Sequence, residues 1–65
     1  MSEREEKFEK MMQSVIDSYN IAVEKMDILK REGKTNTVTY KQLMAEKLKN
    51  QNIISLYKIY GLIDE

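Results

Sequence analysis

The chain contains no cysteine, histidine, proline or tryptophan, and only two glycines among its 65 residues. Each absence closes off a class of architecture or chemistry. Without cysteine there are no disulfides, and no thiolate to ligate a metal or attack a substrate. Without histidine the commonest metal ligand and the usual neutral-pH proton carrier are missing. Ser14, Ser18 and Ser55 therefore have no imidazole to activate them, and no glycine-rich elbow surrounds them. Gly33 and Gly61 are too few for a phosphate-cradling loop. Glu5, Glu6 and Glu9 stand beside lysines at a helix start, where carboxylates are ordinarily solvated rather than shielded in a pocket. The sequence predicts a non-enzymatic protein with no cofactor and no metal.

Long apolar runs are missing too. Nothing approaches the roughly 18 residues of a membrane span, and the opening Met1-Ser2-Glu3-Arg4-Glu5-Glu6 does not resemble a signal peptide. The expectation is cytoplasmic residence with no membrane association. An excess of one charge sign is also absent, since eleven basic side chains balance eleven acidic ones. That balance counts against a strongly basic nucleic-acid binder and against an acidic nucleic-acid mimic. It is uneven along the chain, however. Residues 1–20 hold three basic and five acidic groups, whereas residues 25–49 hold seven basic and three acidic.

What the chain does have is periodicity. Phe8, Met12, Val15, Tyr19, Ala22, Met26 and Leu29 follow one another at alternating spacings of four and three, a heptad seam along one helix face. Met11, Ile16 and Val23 flank the seam, while Ile21 and Ile28 fall on another face. Ser2 followed by Glu5 matches a capping box, and Glu3 with Lys7 and Glu6 with Lys10 are spaced as helical ion pairs. Lys30 and Arg31 suit a helix C-terminus, with Gly33 placed to end it. These signals predict a helix over about residues 3–32, roughly 45 Å long at 1.5 Å per residue.

A polar connection over residues 33–38 follows, with some β character in the alternation from Thr35 to Tyr40. Thr39 with Gln42 repeats the capping-box pattern and predicts a second helix from Tyr40, carrying Tyr40, Leu43, Met44 and Leu48 on one side. The helical segment extends over about residues 39–63. Lys49-Asn50-Gln51-Asn52 is either a break, with Asn50 or Asn52 capping a third helix, or a solvated stretch of one continuous helix. The final run from Ile53 to Ile63 is apolar around its whole circumference and calls for cover on most sides.

The expected fold is all-α: one 65-residue helical domain, with a long N-terminal helix and a C-terminal helix or helix pair closing a hairpin. A domain this small buries only about 60% of the surface its unfolded chain exposes. With disulfides and metal excluded, oligomerisation is the reinforcement left available. The expectation is a homodimeric bundle associating through Met12, Val15, Tyr19, Met26, Leu43, Ile53, Ile54 and Tyr57. In function the sequence points to a protein–protein interaction module, a small regulator acting by binding another protein. The alternative is a helical DNA- or RNA-binding protein using Lys25, Lys30, Arg31, Lys34, Lys41, Lys47 and Lys49. A helix-turn-helix over 39–63 would serve that role. Its second helix, however, offers Ser55 and Lys58 among aliphatic and tyrosine side chains, a poor surface for base edges.

Overall fold

A computed structural model describes residues 2–62, which form two helices in a hairpin. Helix α1 spans Glu3–Arg31 and helix α2 spans Val38–Ile59. At 1.5 Å per residue they are about 44 and 33 Å long, and the molecule measures 47 × 21 × 17 Å.

Local chemistry sets each boundary. Ser2 Oγ accepts the Glu5 amide at 3.2 Å, as the capping-box pattern predicts. Of the two expected ion pairs, Glu3–Lys7 closes at 3.4 Å between highly exposed side chains, a pair worth only a few tenths of a kcal/mol. At the far end Gly33 adopts φ +71°. The Gly33 amide donates to Lys30 O, and the Lys34 amide donates to Leu29 O at 2.7 Å, which together close a Schellman motif. Helix α2 starts two residues earlier than the Thr39–Gln42 pair predicts. Thr37 is the cap: its Oγ1 accepts the Tyr40 amide at 3.2 Å and donates to Lys34 O at 2.9 Å. The extra bond to the turn favours Thr37 over Thr39, and it absorbs the segment with β character into the turn and first helical turn.

Helix α2 runs without interruption through Lys49–Asn52, so the continuous-helix alternative holds and no helix-turn-helix forms there. Asn50 and Asn52 are interior residues of the helix, not caps. The helix ends at Ile59 rather than running on to residue 63. Gly61 at φ +73° forms a second Schellman motif, with the Leu62 amide donating to Tyr57 O at 2.8 Å. Ile63, the last residue of the expected apolar run, lies outside the described residues.

The core lies between the helices. Ala22 and Met26 of α1 are buried with Tyr40, Asn50 and Tyr57 of α2. Phe8 meets Tyr57 edge to face at 5.8 Å, which places the start of α1 against the end of α2 and makes the pair antiparallel. The remaining seam residues of α1, namely Met12, Val15, Tyr19 and Leu29, are half-buried. No large side chain among the described residues is completely enclosed, because two helices cover one another on a single side only. Two polar groups sit inside this interface. The Asn50 amide reaches Glu46 Oε1 at 3.5 Å, the outer limit of a hydrogen bond. The Tyr57 hydroxyl is buried without a partner among the described residues.

Candidate protein-docking surface

The inner seam of α2 explains how the helix is turned. Tyr40, Leu43, Lys47, Asn50, Ile54 and Tyr57 follow at spacings of 3, 4, 3, 4 and 3, the counterpart of the α1 heptad. Every one of them is buried or half-buried. Lys47 is half-buried in this seam, a position that suits a long cationic side chain because its alkyl stem tolerates apolar surroundings. Met44 and Leu48, expected on one side of the helix with Tyr40 and Leu43, part from them and are exposed. The reason is geometric: they advance around the helix from Tyr40 by four and eight residues, carrying Leu48 past the edge of the seam.

That rotation leaves a second apolar face pointing away from α1. Val38 is 71% exposed, Leu48 51%, Leu56 53% and Ile59 75%. Ala45 and Asn52 complete the stripe and are exposed as well. The spacings from Ala45 through Leu48, Asn52 and Leu56 to Ile59 are 3, 4, 4 and 3, a helical stripe of its own. Tyr60 and Leu62 extend it past the helix end. On α1 the large exposed apolar side chains are only Met11, Ile21 and Ile28, so uncovered apolar surface is concentrated on α2. Large exposed apolar side chains gathered on one helix face are a mark of interaction sites.

The lysines of α2 are spread around the helix, with Lys47 in the inner seam and Lys41 on the outer side. Helix α2 carries Lys41, Lys47, Lys49 and Lys58 against a single carboxylate, Glu46. Glu46 pairs with Lys49 at 3.4 Å and lines the interhelical groove beside Ala22, Lys25 and Leu43, away from the outer face. Two small depressions mark that groove near the turn. One of about 220 Å³ is bounded by Lys25, Ile28, Leu29, Thr39 and Leu43, and one of about 190 Å³ includes Ile21 and Glu46. A larger concavity of about 470 Å³ lies at the free helix ends, among Arg4, Glu5, Phe8, Glu9, Met12 and Leu62. It borders the last described residue.

Of the eight residues expected at a self-association interface, Met26 and Tyr57 are buried within one chain and present almost nothing to a second one. Met12, Val15, Tyr19, Leu43 and Ile54 are half-buried members of the two facing seams, and Ile53 is half-buried beside them. The seven residues of the nucleic-acid alternative are distributed over three segments. Lys25, Lys30 and Arg31 lie on α1, Lys34 in the turn, and Lys41, Lys47 and Lys49 on α2. Within α2 they are separated by six and two residues, spacings that do not share one helical face. Lys34 pairs with Glu32 at 3.4 Å, as Lys49 does with Glu46. Sequence reasoning missed the outer stripe as a unit: the signal was present in the repeat from Ala45 to Ile59, but Leu48 was grouped on one side with Tyr40 and Leu43.

Among the described residues no group of three or more carboxylates is placed to hold a metal ion, and no helix is long and apolar enough to cross a membrane. Comparison with protein-family models, curated proteins and solved structures returns no match.

Proposed function

We propose that this chain is a non-enzymatic protein-docking module that presents the outer face of α2 to another polypeptide. The observation that carries this reading is the row of aliphatic side chains from Val38 to Ile59, exposed although α2 already has a complete inner seam. Hairpin formation does not use these residues. Burying a large aliphatic side chain contributes about 1.5–3 kcal/mol, so a partner covering several of them has enough apolar surface to offset the cost of association.

Site-specific photo-crosslinking of the full chain in the cell that makes it tests the proposal. A benzophenone side chain at position 48 is expected to give covalent adducts with protein, and one at the exposed α1 position Gln13 is expected to give few or none. Equal labelling from both positions, no adduct from position 48, or adducts with nucleic acid in place of protein would each overturn the reading.

A further inference from the structure

We infer that a second copy of this chain seats in the groove between α1 and α2 near the turn, so that two hairpins close there into a four-helix bundle. This uses a different side of the hairpin from the outer face of α2 and does not rest on the docking reading above.

The two walls of the groove carry different groups. Helix α1 contributes Ile21, Lys25 and Ile28, which follow one another at spacings of four and three on one face. The two isoleucines are 50% and 49% exposed. Helix α2 contributes Leu43 and Glu46, and Glu46 borders the same depression as Lys25. Ile53, one heptad beyond Glu46, is half-buried and continues the α2 wall toward the free helix ends. The groove therefore holds aliphatic surface with one cation on one wall and one carboxylate on the other.

Both charges are open to another molecule. Lys25 forms no ion pair among the described residues. Glu46 meets Lys49 at 3.4 Å and the Asn50 amide at 3.5 Å, each longer than a well-formed charge-assisted bond. The pair with Lys49 joins two exposed side chains and is worth little.

This distribution selects the occupant. A segment of one charge sign satisfies one wall and is repelled by the other. A second hairpin, related by a two-fold axis parallel to the helices, sets α1 of each copy against α2 of the other at the same level along the bundle. Lys25 of each chain then faces Glu46 of the other copy, and Ile21 and Ile28 lie against the wall that holds Leu43. Each new helix pair is antiparallel, like the pair within one chain. The second layer also covers a hairpin in which no large side chain among the described residues is fully enclosed.

Sedimentation equilibrium of the full chain, over about 1 µM to 1 mM, tests the inference. The wild type is expected to pass from one chain to two across that range. Lys25→Glu and Glu46→Lys each set like charges across both contacts, and each is expected to raise the dimer dissociation constant at least about tenfold. Their helix content at low concentration is expected to match the wild type, because both side chains are exposed. Mixed in equal amounts, the two variants are expected to pair with each other at near wild-type affinity, since opposite charges then meet at both contacts. A wild type that remains a single chain at about 1 mM, variants as dimeric as the wild type, or a mixture that does not associate would each overturn the inference. A dimer that Leu48→Ser dissolves and Lys25→Glu does not would place the second copy on the outer face of α2, and overturns it equally.

Discussion

The two helices use their surfaces in opposite ways. Helix α1 gathers its apolar residues into one stripe and leaves the rest of its circumference mostly polar, so its one seam accounts for most of its apolar content. Helix α2 is apolar on two sides. The side it buries contains Lys47 and Asn50, while the side it exposes carries Val38, Leu48, Leu56 and Ile59. Apolar content therefore does not decide which face of α2 turns inward. The decision comes from register: Tyr40, Leu43, Ile54 and Tyr57 repeat in step with the α1 heptad, and the outer residues do not share that phase with them. A hairpin has one interior, and whatever else is apolar on α2 remains available to another molecule.

The first way to break this comparison is to remove the part of α1 on which the inward face of α2 depends. Met26 is 5% exposed, and truncating a buried methionine to alanine costs about 2–5 kcal/mol. A domain of this size has a total stability of only about 5 kcal/mol. Met26→Ala is therefore expected to unfold a large fraction of the protein at 25 °C, seen as loss of the cooperative urea transition in far-ultraviolet circular dichroism. Retention of the wild-type midpoint would show that something other than the α1 seam holds the hairpin together.

That asymmetry also explains what could be read from the sequence. The α1 seam was legible because all seven of its positions are apolar, and its ends were legible because Ser2 and Gly33 act locally, through one side-chain acceptor and one positive φ. The hairpin followed from the polar connection between two helical stretches. The seam of α2 was not legible, since Lys47 and Asn50 interrupt the apolar repeat and Leu48 offers a more obvious candidate one position later. Lys49–Asn52 resembled a turn because four polar residues suit a solvated helix and a loop equally well. Propensity does not separate them; the continuous seam on either side does. Thr37 and Thr39 both fit a cap, and the choice depended on the bond from Thr37 to Lys34 O, a contact with no sequence signature. Of the candidate site, the surplus of apolar residues was visible, but the face that carries it depends on how α2 is rotated about its axis.

A second variant sharpens the contrast from the α2 side. Asn50 is 4% exposed, and its amide makes one long contact with Glu46. Replacing a buried, weakly bonded polar group with an apolar one of similar size is neutral to stabilising. Asn50→Leu is expected to raise stability by about 1 kcal/mol, read as a higher urea midpoint with an unchanged slope. It also makes the inner seam more strongly apolar, so the outer face has even less claim to the interior. A lower midpoint would mean that the amide is worth more within the seam than a leucine would be, and that polarity there is a requirement of the pairing.

The smallest expected effect on folding tests the comparison most directly. Leu48 is 51% exposed on the outer face of α2, and substitutions away from the core usually shift stability by no more than about 0.5 kcal/mol. Leu48→Ser exchanges an aliphatic side chain for a residue of somewhat lower helix propensity, a difference of about half a kcal/mol. Its urea midpoint is expected to lie close to that of the wild type, in contrast to Met26→Ala. If Leu48→Ser destabilises the isolated chain by as much as the core truncation, then Leu48 is covered when the protein stands alone. The face assigned to docking would in that case belong to the folding unit itself. A near-silent melt combined with loss of the position-48 contact leaves one physical reading: α1 supplies the half of the interface that folds α2, and the opposite side of α2 is kept apolar for something the hairpin does not contain.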